Sequence, residues 1–152
     1  MSLFVDPEFI EIKVYYRISK PDKRGKTIPI IMEEPEAKDW LSDERKDRVE
    51  ILTTMWEPST WDIDTLTQED AFGGSIRDDG GGKLFSPPRY KQSVLINCLK
   101  KWDIKEKTET GEVQDVPVNA DNIGKLHPHI ANNLYYKYEA TRQEYTEEEL
   151  GN

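Results

Sequence analysis

The sequence predicts an α+β domain: an N-terminal antiparallel β-hairpin plus a third strand, followed by a mainly helical C-terminal half. Two patterns carry that prediction. Residues 9–18, FIEIKVYYRI, alternate, with Ile10, Ile12, Val14, Tyr16 and Ile18 on one face and Glu11, Lys13, Tyr15 and Arg17 on the other, as a half-buried strand requires. Residues 90–102, YKQSVLINCLKKW, instead place Tyr90, Val94, Leu95, Cys98, Leu99 and Trp102 on one stripe of a helical repeat. The 152 residues suffice for a single domain with a real core. It is β-rich over 1–58 and helical over 59–150, with a glycine-rich loop at 73–86.

Each element has its own reason. After the first strand, SKPDKRGKT supplies the Pro, Asp and Gly of a turn, and Ile28–Met32 returns as a second strand. Pro29 cannot donate to a ladder, so this strand belongs at a sheet edge or turns its proline outward. Pro35 opens a short helix over 36–41, with Ser42 placed to cap a further turn. Residues 49–56, VEILTTMW, form a third strand that Pro58 ends. A helix over 59–72 follows, capped by Ser59 or Thr60, with Asp62 and Asp64 near its positive end. Pro87 and Pro88, behind Ser86 as cap, start the helix that runs to Trp102. The TGE turn joins two short strands within 103–118, and Asn119 caps a short helix. Pro128 opens the last helix, 128–149, on which Ile130, Leu134, Tyr138, Thr141 and Tyr145 share a stripe that Ala131 and Tyr135 widen. Tyr135, Tyr136 and Tyr138 cannot share one helical face, so Tyr136 is expected to point outward.

Composition narrows the function. A net charge of -9 argues against a non-specific nucleic-acid binder and against docking on anionic lipid. It suits solubility, a basic partner or a DNA mimic, the last of which would array carboxylates on one face and expose no aromatics. Against this acidic background Lys20, Lys23, Arg24 and Lys26 cluster at the hairpin tip, where an acidic partner would meet them. The single Cys98 excludes an intramolecular disulfide and reads as a buried thiol. No run approaches the ~18 apolar residues of a membrane span, and the N-terminal stretch has neither a basic nor an apolar signal region.

Catalytic and metal chemistry find no support. His127 and His129 are the only histidines, too few with one cysteine for a zinc site. Acidic pairs such as Asp62/Asp64 and Asp78/Asp79 arise by chance in a chain with 30 acids, and Asp78/Asp79 lack the twelve-residue calcium-loop pattern. The glycines of 73–86 match no phosphate-binding motif, and no nucleophile stands in a GxSxG setting. No catalytic residue, cofactor or metal is therefore assigned.

Three segments point further: MWEPSTW at 55–61, RYKQSVLINCLKKW at 89–102 and VPVNADNIGKLHPHIANNL at 116–134. A helix ending in Trp, a turn with Gly and an acid, then VPV and a capped N-I-x-x-L-x-P-x-I-A-x-x-L resemble the tail assembly chaperones and related tail-morphogenesis proteins of tailed bacteriophages. The resemblance covers mainly the C-terminal half; the hairpin at 9–32 is outside it. It implies a non-enzymatic protein that holds a long, helical, aggregation-prone tape-measure protein in the host cytoplasm during assembly. The alternative is a structural component of the virion: a baseplate, connector or tail adaptor protein. The implied partners are phage tail or other virion proteins, with a homo-oligomer possible and neither nucleic acid nor membrane involved. Candidate contacts are the aromatics Trp56, Trp61, Tyr135, Tyr136 and Tyr138, with Lys23 and Arg24 at the basic tip.

Overall fold

The computed structural model describes residues 2–43, 48–72 and 84–143. The elements run β1 (Ile10–Ile18), β2 (Pro29–Met32), α1 (Glu34–Ser42), β3 (Glu50–Trp56), α2 (Trp61–Ala71), α3 (Pro87–Cys98), β4 (Leu99–Trp102), β5 (Lys105–Lys107), β6 (Val113–Asp115), α4 (Ala120–Gly124) and α5 (Pro128–Gln143). The fold is α+β, as the alternation and the helical stripes predict. Four antiparallel strands form a sheet in the order β2-β1-β3-β4, and β5 with β6 forms a separate two-stranded ribbon. Pro29 sits at the start of edge strand β2, opposite Ile18, where its missing N–H costs least.

The alternation of β1 divides the apolar residues between two clusters. Ile12 and Val14 join Leu52 and Trp56 of β3 and the inward faces of α3 and α5 in the main core. Tyr15, on the opposite face of the strand, packs instead with Met32, Ala37, Trp40 and Val49, so α1 belongs to a second, smaller cluster. The main core has an aromatic centre: Trp56 and Tyr138 are both fully buried and stack with centroids 4.6 Å apart at 17°. Their polar atoms are satisfied, as burial demands. The Trp56 indole donates to Thr54 Oγ1 at 2.7 Å, Thr54 Oγ1 donates to the Ile12 carbonyl at 2.8 Å, and Tyr138 Oη donates to the Glu57 carbonyl at 2.8 Å.

Three sequence expectations need correction. The helix predicted to reach Trp102 stops at Cys98, and Leu99–Trp102 is the edge strand β4. The open edge of β3 offers these residues backbone partners, pairing Trp56 with Leu99 and Thr54 with Trp102 around a bulge. Leu99 stays buried either way, so the apolar stripe could not distinguish the two conformations. Ser86 occupies the N-cap position of α3 but makes no side-chain capping bond; its own N–H donates to the Ala71 carbonyl at 2.9 Å. Thr141, assigned to the stripe of α5, is exposed, and its hydroxyl donates to the Tyr138 carbonyl.

The other starts follow their caps. Thr60 Oγ1 accepts from the Ile63 N–H in α2, and Asn119 Oδ1 accepts from the Asn122 N–H in α4. The turn after Ser42, most of the glycine-rich loop and the end of the last helix with Tyr145 lie outside the described residues. Among the described residues no helix is long and apolar enough to cross a membrane.

Candidate functional site

Three helices leave a groove between them. Leu95 and Pro88 of α3, Ile123 of α4, Leu126 after it and Ala131 of α5 give it an apolar floor, and its cavity is about 440 Å³. Gln92, Lys91 and Asn132 supply the polar rim. The rim is tied across the groove: Lys91 Nζ donates to Tyr136 Oη at 2.8 Å and to Asn132 Oδ1 at 3.4 Å. The same ammonium lies 4.7 Å from the Tyr136 ring centroid and 5.6 Å from that of Tyr135, within cation–π reach of both.

From this rim an aromatic strip runs over the surface. Tyr136 meets Tyr135 at 5.3 Å, Tyr135 meets Tyr90 at 6.3 Å, Tyr90 meets Phe85 at 5.9 Å and Phe85 meets Phe72 at 5.3 Å. Its middle is half-buried, but Tyr136 is 57%, Phe85 47% and Phe72 42% exposed, and Leu84 beside them is exposed as well. The strip therefore crosses α5, α3 and the end of α2 and leaves apolar edges in water, which is how interface anchors differ from core aromatics. Burial, then the nearby Glu139, Tyr90 and Tyr136, push the Tyr135 hydroxyl up to about 12.

A polar tie holds the strip's helices in place. Arg142 Nη2 donates to both carboxylate oxygens of Asp64, at 3.0 and 2.9 Å, and Nη1 donates to Glu139 Oε1 at 3.0 Å. Ser59 Oγ also donates to Asp64 Oδ1, at 2.6 Å. Asp64 is thus committed to joining α2 to α5, while Asp62 is exposed, so the two do not form a cation site.

The residues proposed from sequence separate into three places. Tyr135 and Tyr136 belong to the strip, and Tyr136 does point outward. Trp56 and Tyr138 are a correction: both are core residues whose packing in the main cluster leaves no surface for a partner. Trp61 is 86% exposed. It opens α2 whereas Phe72 follows its last turn, eleven helical residues away, so it stands about 16 Å from Phe72 along the helix. Lys23 and Arg24 are exposed at the hairpin tip, on a different element altogether. Sequence reading missed Phe72, Phe85, Tyr90 and Lys91. The signal was an aromatic at each root of the glycine-rich stretch, in AFGG and KLFSPP.

The His127 and His129 rings meet edge to face at 4.7 Å, and the His129 backbone N–H donates to His127 Nδ1, a local turn contact. Among the described residues no group of three or more His, Cys, Asp or Glu is placed to hold a metal ion; Asp78 and Asp79 lie outside them. The exposed aromatics run against a DNA mimic. Comparison of the chain with protein-family models, curated proteins and solved structures finds no match.

Proposed function

We propose that this chain is a non-enzymatic bacteriophage tail assembly factor, a chaperone that holds a tape-measure-like tail protein while the tail is built. The observation that carries this reading is the aromatic strip opening onto an apolar groove. A helical client lays its apolar face into such a groove, and the strip of Phe72, Phe85 and Tyr136 extends the contact beyond it. Lys91 sits where the two meet and offers a cation to an acidic or aromatic side chain of the client. The resemblance of residues 55–61, 89–102 and 116–134 to tail assembly chaperones supplies the identity of the client.

A second reading, a structural virion component such as a baseplate, connector or tail adaptor protein, draws on the two exposed hairpins, 18–29 and 105–115. Quantitative proteomics of purified particles against infected-cell lysate separates the readings. Abundance in the lysate with absence from the particle supports the chaperone. A fixed copy number in the particle overturns it in favour of the structural role. The site itself is tested by co-expression with a tape-measure protein: Phe85→Ala with Tyr136→Ala is expected to abolish co-purification while leaving the fold intact by circular dichroism. Retained co-purification would remove the strip from the mechanism.

A further inference from the structure

The two hairpins carry opposite charge and leave the sheet from opposite edges. The loop joining β1 to β2 presents Lys20, Lys23, Arg24 and Lys26 with one acid, Asp22. Asp22 points its carboxylate inward: Oδ1 accepts from the Arg24 N–H at 2.8 Å and the Lys26 N–H at 2.9 Å, and its backbone bonds Lys26 and Gly25. The one negative charge of the loop is thus spent on shaping it. All four cations are exposed, and none makes an ion pair with a carboxylate among the described residues. Elsewhere in the chain, cations such as Lys38, Lys100 and Arg142 do have carboxylate partners.

The β5–β6 ribbon is the counterpart. Asp103, Glu106, Glu109, Glu112 and Asp115 face only Lys105 and Lys107 across residues 103–115. Every residue of both strands is exposed. Lys105 reaches Asp115 at 3.8 Å, while Glu106, Glu109 and Glu112 have no cation partner among the described residues.

Topology relates the two projections. Both β1 and β4 run antiparallel to β3, so they run in the same direction. The basic loop follows β1 and the acidic ribbon follows β4, and both therefore leave toward the same end of the sheet. β2 and β4 are its two edges, three strand spacings or about 14 Å apart. A second copy set beside the first, its β4 edge facing the first copy's β2 edge, brings the basic loop of one against the acidic ribbon of the next.

We propose that copies of this chain associate head to tail, the 20–26 loop of one docking on the 103–115 ribbon of its neighbour. The contact joins two different surfaces, so it propagates into a ring or an open array. It is electrostatic and exposed, hence sensitive to salt. It uses residues that do not line the groove.

The test is sedimentation velocity of the purified chain, without any client, at low salt and at roughly 1 M salt, where the screening length falls to about 3 Å. The wild type is expected to form assemblies larger than a monomer at low salt and to dissociate at high salt. Reversing the tip (K23E/R24E/K26E) or the ribbon (E106K/E109K/E112K) is expected to give monomers at both. Mixing the two reversed proteins is expected to restore association, because each then offers what the other lacks; this recovery excludes misfolding as the cause of the loss. A wild type that stays monomeric at low salt overturns the proposal. So does association that survives ribbon reversal, or a mixture that stays monomeric.

Discussion

A tyrosine hydroxyl shows how far placement alone divides like residues. Tyr136 and Tyr138 are two positions apart on α5, yet one is more than half exposed and the other fully buried against Trp56. Trp56→Ala is expected to cost about 3–5 kcal/mol, the usual penalty for emptying a large aromatic site. Tyr136→Ala is expected to change stability by no more than about 0.5 kcal/mol, as surface positions do. Urea denaturation of both variants checks the contrast, and equal losses would contradict it. Alkaline titration gives a second check. Tyr135 is held up to about 12, and Tyr138 is raised further, by burial first and then by its bond with Cys98. A raised tyrosine pKa means that the unfolded chain releases its proton first, so the folded state loses stability as pH climbs above about 10. The expected result is a midpoint of unfolding that is flat below pH 10 and falls above it, with Tyr135 and Tyr138 silent at 295 nm until the fold gives way. Here the sequence was legible only in part. The spacing of 135, 136 and 138 shows that they diverge, but which of them meets Trp56 depends on a contact 82 residues away.

At the scale of elements, the periods that mark strand and helix were readable wherever one face alone is buried. The alternation of β1, the caps at Thr60 and Asn119 and the proline starts of α1, α3 and α5 are local signals, and local geometry obeys them. The end of α3 was not readable, because the edge of β3 that captures Leu99–Trp102 is distant in sequence. The ribbon is the element with least behind it. Its strands are three residues long and exposed, and two strands alone are marginal in water. Gly111 turns it at φ +85°, a conformation that costs most other residues roughly 1–2 kcal/mol. Gly111→Ala is therefore expected to speed amide exchange across 105–115 while leaving the exchange of β1 and β3 unchanged. Faster exchange throughout the sheet would show that the ribbon is not an independent unit.

Over the whole molecule, one sheet serves two apolar clusters, and the polar tie of Arg142 closes the larger one. Burial disfavours the guanidinium's charge, yet Glu139 and Asp64 outweigh it and its pKa is raised. The pair is about one-third exposed, so water and salt screen it. A double-mutant cycle with Arg142→Ala and Asp64→Asn is expected to give a coupling of about 1 kcal/mol that shrinks at high salt. Zero coupling would make the tie ornamental. The candidate site needed this scale to be seen, since α2, α3 and α5 contribute to one strip only after the chain has folded. In the passage from α3 to β4, Cys98 ends the helix and Leu99 begins the strand with no residue between them. A joint without a loop has no slack. A guest that wedged α3 aside would be expected to tilt β4 with it, and the Trp102 indole, held on the Val116 carbonyl at 2.6 Å, to carry that tilt to the root of the ribbon. Filling the groove is therefore expected to change amide exchange at Val116, whose own N–H donates to the Ile104 carbonyl at 3.0 Å; unchanged exchange there would show that the joint absorbs the displacement.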